Sequence, residues 1–318
     1  MWEKLGQIFD PQNLGIENEN LHQYAQAPNV IVFEDKVRIY FTSRTPVDIN
    51  GNYKSLPFFF EVTSFEPLKL SYIQTNPIQN LGDLGEFDEF GIYPFSVLKD
   101  KEKYVAIYGG WTRKSSVPFD VNLGLSISED GKFFKKIGKG PILAGNSLEP
   151  FVITSPKIRK FNEIYYLFYT SGTQWFYDNG KPEIIYKIKM AKSYDLITWE
   201  RNGLNLLSDK LGMGEAQASP DVIYDGSHYH MFFCFRKEID FRNNPINSYK
   251  IGYASSVDLS DWKRDDSKVN LLPSKSGWDS DMVAYPTVFQ YQSNTYMLYL
   301  GNGVGKSGIG LAKFVGKL

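Results

Sequence analysis

A repeated hairpin that begins with proline is the feature that most constrains the fold of this chain. Five segments start with proline and continue as two alternating apolar strands around a short polar turn, and the last of them reads PTVFQYQSNTYMLYLGN. The intervals between the five prolines are 66, 62, 64 and 66 residues, and the prolines are Pro28, Pro94, Pro156, Pro220 and Pro286. So regular a period is typical of a repeat architecture, and it predicts a fold built from similar units.

A second pattern lies between the hairpins. Strand-like segments that begin at Leu123, Ile188 and Ile251 are each followed by a turn containing aspartate, an aromatic residue and a short basic strand. One hairpin and one such pair make four antiparallel strands. Five units of this kind predict an all-β fold, a five-bladed β-propeller with four antiparallel strands in each blade.

The two ends of the chain complement each other. The last repeat supplies only three strands and ends with GIGLAKF at 308–314. Trp2-Glu3-Lys4 resembles the fourth-strand sequences Trp199-Glu200-Arg201 and Trp262-Lys263-Arg264. We therefore expect the N-terminal strand to complete the last blade, because this closure removes an exposed sheet edge. Residues 1–318 are expected to form one domain.

Charge and composition narrow the range of partners. The chain has 35 basic and 36 acidic residues among 318, a formal net charge of −1, which gives no footprint for nucleic acid or an anionic membrane. Aromatic residues make up 16% of the sequence, which favours strands. Cys234 is the single cysteine, and the first residues lack the apolar core of a signal peptide. A cytoplasmic protein is expected, with its oligomeric state open.

Acidic residues precede four of the five repeat prolines by at most seven positions. The loops that lead into the innermost strands of a propeller meet at one end of its axis, so these side chains are expected to line a funnel. Glycoside hydrolysis needs a carboxylic acid and a carboxylate, and crowding of like charges shifts their pKa values apart. The candidate catalytic residues are Asp88, Glu149, Glu215 and Asp281. A solvated or lysine-paired carboxylate is the alternative for each.

Aromatic and polar residues near the same strands are candidates for binding a sugar. A tryptophan face packs on the apolar face of a sugar ring, while arginine and amide groups hydrogen-bond hydroxyl groups. The candidate substrate-binding residues are Gln26, Arg44, Trp111, Trp175, Arg236, Trp278, Asp279, Tyr285 and Asn302. Core packing is the alternative for the tryptophans, and salt bridging is the alternative for the arginines.

With these motifs the chain resembles the five-bladed propeller glycosidases, the group of arabinanases, β-xylosidases, invertases and levansucrases. The resemblance covers nearly the whole chain and rests on the hairpins, the acidic loops and the motif SxDLxxW, which occurs at 193–199 and 256–262. In that group a first-blade aspartate is the base or nucleophile, a second-blade aspartate orients substrate, and a third-blade glutamate is the general acid. By position, Asp88 matches the second and Glu149 matches the third.

The first repeat departs from the pattern of that group, since YAQAP has Gln26 and Ala27 where the aspartate is expected. Glu215 or Asp281 is then the candidate base. The expected function is that of an O-glycosyl hydrolase acting on an oligo- or polysaccharide. Two alternatives stay open: a non-catalytic glycan-binding propeller, and a glycoside phosphorylase, for which Arg44, Arg113 and Arg236 are candidates to hold phosphate.

No cofactor is expected. The sequence has three histidines, and His228 and His230 alternate on one strand without an evident third ligand for zinc. The segment GNGVGKSGIG has Leu300 where a phosphate-binding loop needs glycine. A calcium ion in the central channel is an open alternative, because carboxylate oxygens are its preferred ligands.

Overall fold

Twenty strands make up about half of the described residues. The structure is a computed structural model and describes residues 1–15 and 18–316. In chain order the strands are β1 (Trp2–Phe9), β2 (Gln23–Val32), β3 (Val37–Arg44), β4 (Ser55–Phe65), β5 (Leu68–Ile73), β6 (Gly91–Asp100), β7 (Lys103–Thr112), β8 (Asp120–Ser128), β9 (Lys135–Lys136), β10 (Ile153–Phe161), β11 (Ile164–Asp178), β12 (Lys181–Ser193), β13 (Glu200–Arg201), β14 (Ala216–Tyr224), β15 (Tyr229–Arg236), β16 (Lys250–Ser256), β17 (Lys263–Arg264), β18 (Ala284–Tyr291), β19 (Asn294–Leu300) and β20 (Ile309–Phe314).

Among the described residues, helical structure is limited to three short segments at Pro11–Asn13, Asp266–Lys268 and Asn302–Gly305. Within the described ranges, none of the helices has the length and apolar character needed to cross a membrane. The prediction of an all-β protein is confirmed.

Most strands that follow one another in the chain pair antiparallel in the sheets, while β1 lies at a sheet edge beside β20. Three sheets have four strands each, in the orders β10-β11-β12-β13, β14-β15-β16-β17 and β1-β20-β19-β18. The remaining strands form an eight-stranded sheet in which β2, β3, β4 and β5 are joined to β6, β7, β8 and β9 by one parallel residue pair, Ser55 with Gly91. The first strand, β1, lies antiparallel to β20, with Trp2 opposite Phe314 and Phe9 opposite Ile309.

The five innermost strands contact one another in a cycle. Strand β2 contacts β6, β6 contacts β10, β10 contacts β14, β14 contacts β18, and β18 contacts β2. Each of these strands contains one repeat proline and has a register shift there against its neighbour. In four of them the residue before the proline has a left-handed backbone: Ala27, Ser155, Ser219 and Tyr285. Such bulges turn side chains out of the sheet and toward the axis.

Apolar side chains fill the spaces between neighbouring sheets. The largest cluster joins the sheet of β2–β5 to the sheet that contains β1, and Phe9 stacks on Phe60 there with ring centroids 4.1 Å apart. Trp2 packs edge-on against Phe232 in the adjacent cluster, 5.6 Å between centroids. The N-terminal strand therefore contributes buried apolar surface to two interfaces as well as backbone pairing.

A buried polar network ties the inner strands together below the repeat prolines. The Lys157 ammonium on β10 donates to the Thr287 hydroxyl at 3.0 Å, and this hydroxyl donates to the Pro28 carbonyl at 2.6 Å. Asp221 on β14 accepts from the backbone amide of Val288 at 2.7 Å and pairs with Arg159. Burial lowers the pKa of Lys157 to about 8, with Arg159 acting in the same direction and Asp221 opposing it.

Candidate functional site

A cavity of about 390 Å³ opens at the axis, on the side of the inner strands that precedes the repeat prolines. Its wall receives side chains from every sheet, including Gln26 of β2, Tyr93 of β6, Thr154 of β10, Ala218 of β14 and Tyr285 of β18. The hairpin of β11 and β12 is longer than the others and adds Trp175, Glu183 and Tyr186. We call this space the axial cavity.

Six of the nine predicted substrate-binding residues line the axial cavity. They are Gln26, Arg44, Trp111, Trp175, Arg236 and Tyr285. Trp111 and Trp175 are half-buried, so part of each ring stays open toward the cavity. Trp175 also packs edge-on against Phe119, with 5.5 Å between ring centroids, which fixes its orientation.

Two arginines lie on the side of the cavity formed by the first two repeats. The Arg44 guanidinium lies 4.3 Å from the Tyr53 ring centroid, and its Nε donates to Gln26 Oε1 at 3.0 Å. Arg113 lies 4.2 Å from the Phe90 ring and donates from Nη2 to the Tyr53 carbonyl at 3.4 Å. Among the described residues neither arginine forms an ion pair with a carboxylate.

Two further arginines lie on the side of the fourth repeat and share one aromatic ring. Arg236 at the end of β15 and Arg242 in the following loop lie 3.5 Å and 4.6 Å from the Phe241 ring centroid. Arg242 forms two hydrogen bonds with Glu183, including Nη2 to Oε2 at 3.0 Å. Arg236 has no such partner in the described part of the chain, although its side chain is 1% exposed.

Glu183 is the one carboxylate among the described residues that line the axial cavity. The sequence interpretation missed it, because it lies in the β11–β12 hairpin extension, which has no counterpart in the other repeats. The interpretation likewise missed the phenols of Tyr53, Tyr93, Tyr186 and Tyr249, which surround the arginines. The axial cavity is thus lined by arginine and aromatic groups, and this differs from the carboxylate-lined funnel that the sequence predicted.

The acidic residues that recur before the repeat prolines lie in buried ion pairs instead. In each case the partner is a base on the outermost strand of the same sheet: Asp88 with Lys136 at 2.8 Å, Glu149 with Arg201 at 2.7 Å, Glu215 with Arg264 at 2.5 Å and Asp279 with Lys4 at 2.6 Å. None of these four acids lines the axial cavity. Because the pair joins the loop before the inner strand to the opposite sheet edge, the geometry favours a structural role.

Phenols donate hydrogen bonds to the carboxylates of two of these buried ion pairs. Tyr169 donates to Glu149 at 2.9 Å, and Tyr299 donates to Asp279 at 3.1 Å. Burial, and then the adjacent carboxylate, raise the pKa of Tyr108, Tyr169 and Tyr299 well above the ordinary value. These tyrosines therefore stay protonated, and Tyr169 and Tyr299 donate to the carboxylates beside them.

Glu215 lacks a phenol and relies on other donors. Burial opposes its ionisation, but hydrogen bonds from Arg264, Gln217 and the Lys210 amide outweigh burial and lower the pKa of Glu215. A carboxyl group with this pKa stays ionised near neutral pH, which suits an ion pair and does not suit a proton donor. The catalytic assignments of Asp88, Glu149 and Glu215 stay predictions.

Asp281 and Asn302 lie beside the axial cavity in a second cavity of about 760 Å³. Asp281 is exposed, and its backbone amide donates to Asn302 Oδ1 at 2.7 Å. The two cavities share Phe241, Arg242 and Val304, so they adjoin. Trp278 packs against the Tyr299 ring at 5.3 Å and lines neither cavity.

The described residues do not form a metal-binding site of acidic, histidine or cysteine side chains. No group of three or more His, Cys, Asp or Glu side chains there is arranged to hold a metal ion. The open alternative of a calcium ion in the channel therefore has no carboxylate cluster to support it among residues 1–15 and 18–316.

Two relatives from Mycobacterium tuberculosis match the chain over nearly its whole length. The uncharacterized proteins Rv1502 (strain ATCC 25618 / H37Rv) and MT1551 (strain CDC 1551 / Oshkosh) are each 30% identical over 311 residues, which is 98% of both chains. A 1,2-beta-oligomannan phosphorylase of Thermoanaerobacter sp. (strain X514) is 30% identical over 162 residues, 51% of this chain and 46% of that protein. No protein-family model matches the sequence.

Solved structures with similar folds are carbohydrate-active enzymes. A glycoside hydrolase aligns with a TM-score of 0.74 and 16% identity over 99% of this chain and 92% of that one. A structure from the GH130 family of mannoside phosphorylases, which contains glycoside hydrolases that target β-1,2 mannosidic linkages in Candida mannan, aligns with a TM-score of 0.72 and 16% identity. This alignment covers 99% of this chain and 93% of that one. A thermostable family-43 glycoside hydrolase aligns with a TM-score of 0.68 and 15% identity over 93% of this chain and 91% of that one. The fold is that of the propeller glycosidases, as the sequence resemblance indicated.

Proposed function

The chain belongs to the same family as the Mycobacterium tuberculosis protein Rv1502, and we propose that it is a carbohydrate-active enzyme that cleaves a glycosidic bond with phosphate. The observation that carries this proposal is the composition of the axial cavity. Four arginines and one carboxylate line it: Arg44, Arg113, Arg236, Arg242 and Glu183. Since only Arg242 is ion-paired within the described residues, the cavity keeps an excess of positive charge for an anionic ligand.

The number of carboxylates separates phosphorolysis from hydrolysis. A hydrolase of the usual kind needs two carboxyl groups at the scissile bond, one as acid and one as base or nucleophile. In phosphorolysis a phosphate oxygen is the nucleophile: it bonds to the anomeric carbon, the glycosidic C–O bond breaks, and one acid gives its proton to the departing oxygen. Glu183 is the residue we assign to the acid role. To act as the proton donor, it must first gain a proton and be released from Arg242.

Phosphate is best placed on the first arginine pair. Arg44 and Arg113 both contact Tyr53, and neither has a carboxylate partner in the described part of the chain. Arginine forks bind phosphate with two parallel hydrogen bonds, and exclusion of water strengthens them. Trp111, 5.7 Å from the Tyr53 ring, would then place a sugar ring next to the phosphate.

The architecture that presents this cavity is proposed to be a five-bladed propeller formed by the whole chain. The eight-stranded sheet divides into two four-stranded halves at the single pair of Ser55 with Gly91. With the three four-stranded sheets this gives five blades, in agreement with the cyclic contacts of the innermost strands.

Phosphate-dependent turnover is the direct test. Oligosaccharides are incubated with and without phosphate, beginning with β-1,2-linked mannosides because one relative is named a 1,2-beta-oligomannan phosphorylase. The expected product is a sugar 1-phosphate, formed only when phosphate is present. Arg113→Gln should raise the KM for phosphate at least about tenfold, since one charge-assisted bidentate contact is lost.

The acid is tested with Glu183→Gln, which should reduce kcat by about 10²–10⁴-fold. Glu200→Gln is the matched control, because Glu200 is an exposed carboxylate in a two-residue outer strand. Turnover without phosphate would assign hydrolysis instead, and binding without turnover would assign a glycan-binding protein. If Glu149→Gln abolishes turnover in a normally folded protein while Glu183→Gln does not, the acid is Glu149.

A further inference from the structure

Arg236 is a buried cation without a counter-ion in the described part of the chain. Its side chain is 1% exposed, it lies at the wall of the axial cavity, and no carboxylate pairs with it there. An uncompensated charge in such a position is costly, and folded proteins rarely keep one without a use. The nearest carboxylate in the cavity, Glu183, is occupied by Arg242.

Some of the N–H donors of Arg236 have no acceptor among the described residues. Nη1 donates to the carbonyls of Lys237 at 2.9 Å and Glu238 at 3.4 Å, and Nη2 donates to the Ile184 carbonyl at 2.9 Å. Nε is buried and has no acceptor. A guanidinium group has five N–H donors, so Nε and one hydrogen of Nη2 remain free to bind an anion. The carbonyl contacts hold the group rigid and prevent it from turning to another partner.

The groups around Arg236 suit an anion that arrives with a ligand. Phe241 stacks at 3.5 Å from the guanidinium carbon, and the Tyr249 ring centroid lies at 5.5 Å. Burial raises the pKa of Tyr249, although Arg236 partly opposes this effect, and burial also raises the pKa of Tyr285. Both phenols therefore remain neutral, so neither brings a negative charge that would compete with a ligand for Arg236.

We propose that the carbohydrate ligand carries an anionic substituent of its own, a carboxylate or a phosphate, and that this substituent binds Arg236. This inference rests on the proposed function for taking the ligand to be a carbohydrate. The anion that reacts has a separate place, because Arg44 and Arg113 pack around Tyr53 on the first two repeats. Arg236 packs on Phe241 in the fourth repeat. Two arginine clusters on different sheets match two anionic groups better than one.

The alternative use of Arg236 is structural, since its three carbonyl contacts tie β15 to the loop that follows it and to Ile184. A structural role predicts lower stability on substitution with no change in the preference for acidic sugars. A binding role predicts loss of that preference. The two readouts are independent, so one set of variants separates them.

The experiment measures binding of three probe classes by calorimetry at low and moderate salt. The probes are hexuronic acids, hexose 6-phosphates and the corresponding neutral hexoses. The wild-type protein should bind at least one acidic class about 10-fold to 100-fold more tightly than its neutral counterpart, as expected for one charge-assisted bidentate contact. The preferred class identifies the substituent as carboxylate or phosphate.

Four variants sharpen the result. Arg236→Gln should abolish the preference for the acidic sugar, and Arg236→Lys should retain a reduced preference, because lysine keeps the charge without the fork. Arg113→Gln, at the other cluster, should retain the preference. Lys237→Gln removes the same charge from an exposed neighbour and should change nothing. Thermal unfolding of each variant reports whether it is folded.

Equal binding of acidic and neutral sugars by the wild-type protein would overturn the inference, as would a preference that survives in folded Arg236→Gln. Either result leaves the phosphate test of the proposed function intact, because that test depends on Arg113 and Glu183. Conversely, a protein that prefers acidic sugars and shows no phosphate-dependent turnover would retain this inference and lose the proposed reaction.

Discussion

Replacing Lys157 with methionine tests the buried network below the repeat prolines. In the folded protein burial lowers the pKa of this lysine to about 8 from an ordinary value of 10.5, with Asp221 opposing and Arg159 assisting. The difference of about 2.5 pKa units corresponds to about 3 kcal/mol at 1.36 kcal/mol per unit. Below pH 8 the wild-type protein bears this cost, because the lysine is charged in both the folded and the unfolded state.

The sign of the pH dependence follows from proton counting. Between pH 8 and 10.5 the unfolded chain keeps the Lys157 proton while the folded protein has released it, so the contribution of Lys157 to stability increases with pH. Relative to Lys157→Met, the wild-type protein should therefore gain about 3 kcal/mol of unfolding free energy between pH 8 and 10.5. Taking this difference cancels the titration of all other groups.

The assay is urea denaturation at pH 7, 8, 9 and 10, on wild type, Lys157→Met and the exposed-lysine control Lys237→Met. At pH 7 the methionine variant should be at least as stable as wild type. Removal of a desolvated charge stabilises the folded protein, and this gain is at least as large as the loss of the hydrogen bond to Thr287. The difference in unfolding free energy between the control Lys237→Met and wild type should stay the same at every pH. A constant difference between wild type and Lys157→Met from pH 8 to 10 would refute the assignment of a buried, desolvated ammonium.

Two further predictions concern the sheet edges. Arg201→Met leaves Glu149 buried without its closest cation and should lower the unfolding free energy by about 3–5 kcal/mol. The control Lys192→Met removes a lysine from an exposed pair with Glu200 and should change the unfolding free energy by less than about 1 kcal/mol. If Arg201→Met keeps the wild-type stability but loses turnover, Glu149 has a functional role instead. Deletion of residues 1–10 removes the partner of β20 and should lower the melting temperature by about 10 °C or more, and an unaltered melting curve would contradict the packing role of this strand.

The secondary structure could be predicted from the sequence because its signals are local. Each repeat proline starts a run of alternating apolar residues, and turns such as Asp225-Gly226-Ser227 separate the two strands. Pairing of β1 with β20 was also foreseen, because the tripeptide at Trp2 resembles those at Trp199 and Trp262. In these cases a short segment and its copies carry all the information needed.

The site was harder to predict because its geometry depends on long-range pairing. An acid before a repeat proline looks the same whether it faces the axis or the outer strand, and only the fold brings Glu149 next to Arg201. A signal was nevertheless present: a base recurs in the outer strands, at Lys136, Arg201 and Arg264, as regularly as the acid recurs before the prolines. Glu183 carried no repeat signal at all, since it belongs to an extension found in one hairpin.

The pairing of β1 with β20 also has a consequence for how the protein is made. Residues 2–9 are synthesised before their partners at 309–314, which follow roughly 15–60 s later at ordinary elongation rates. During that interval β1, with the apolar side chains of Trp2, Ile8 and Phe9, has no partner strand. Because sequence separation of this size slows folding, the nascent chain must remain soluble with β1 unpaired until β20 has been synthesised.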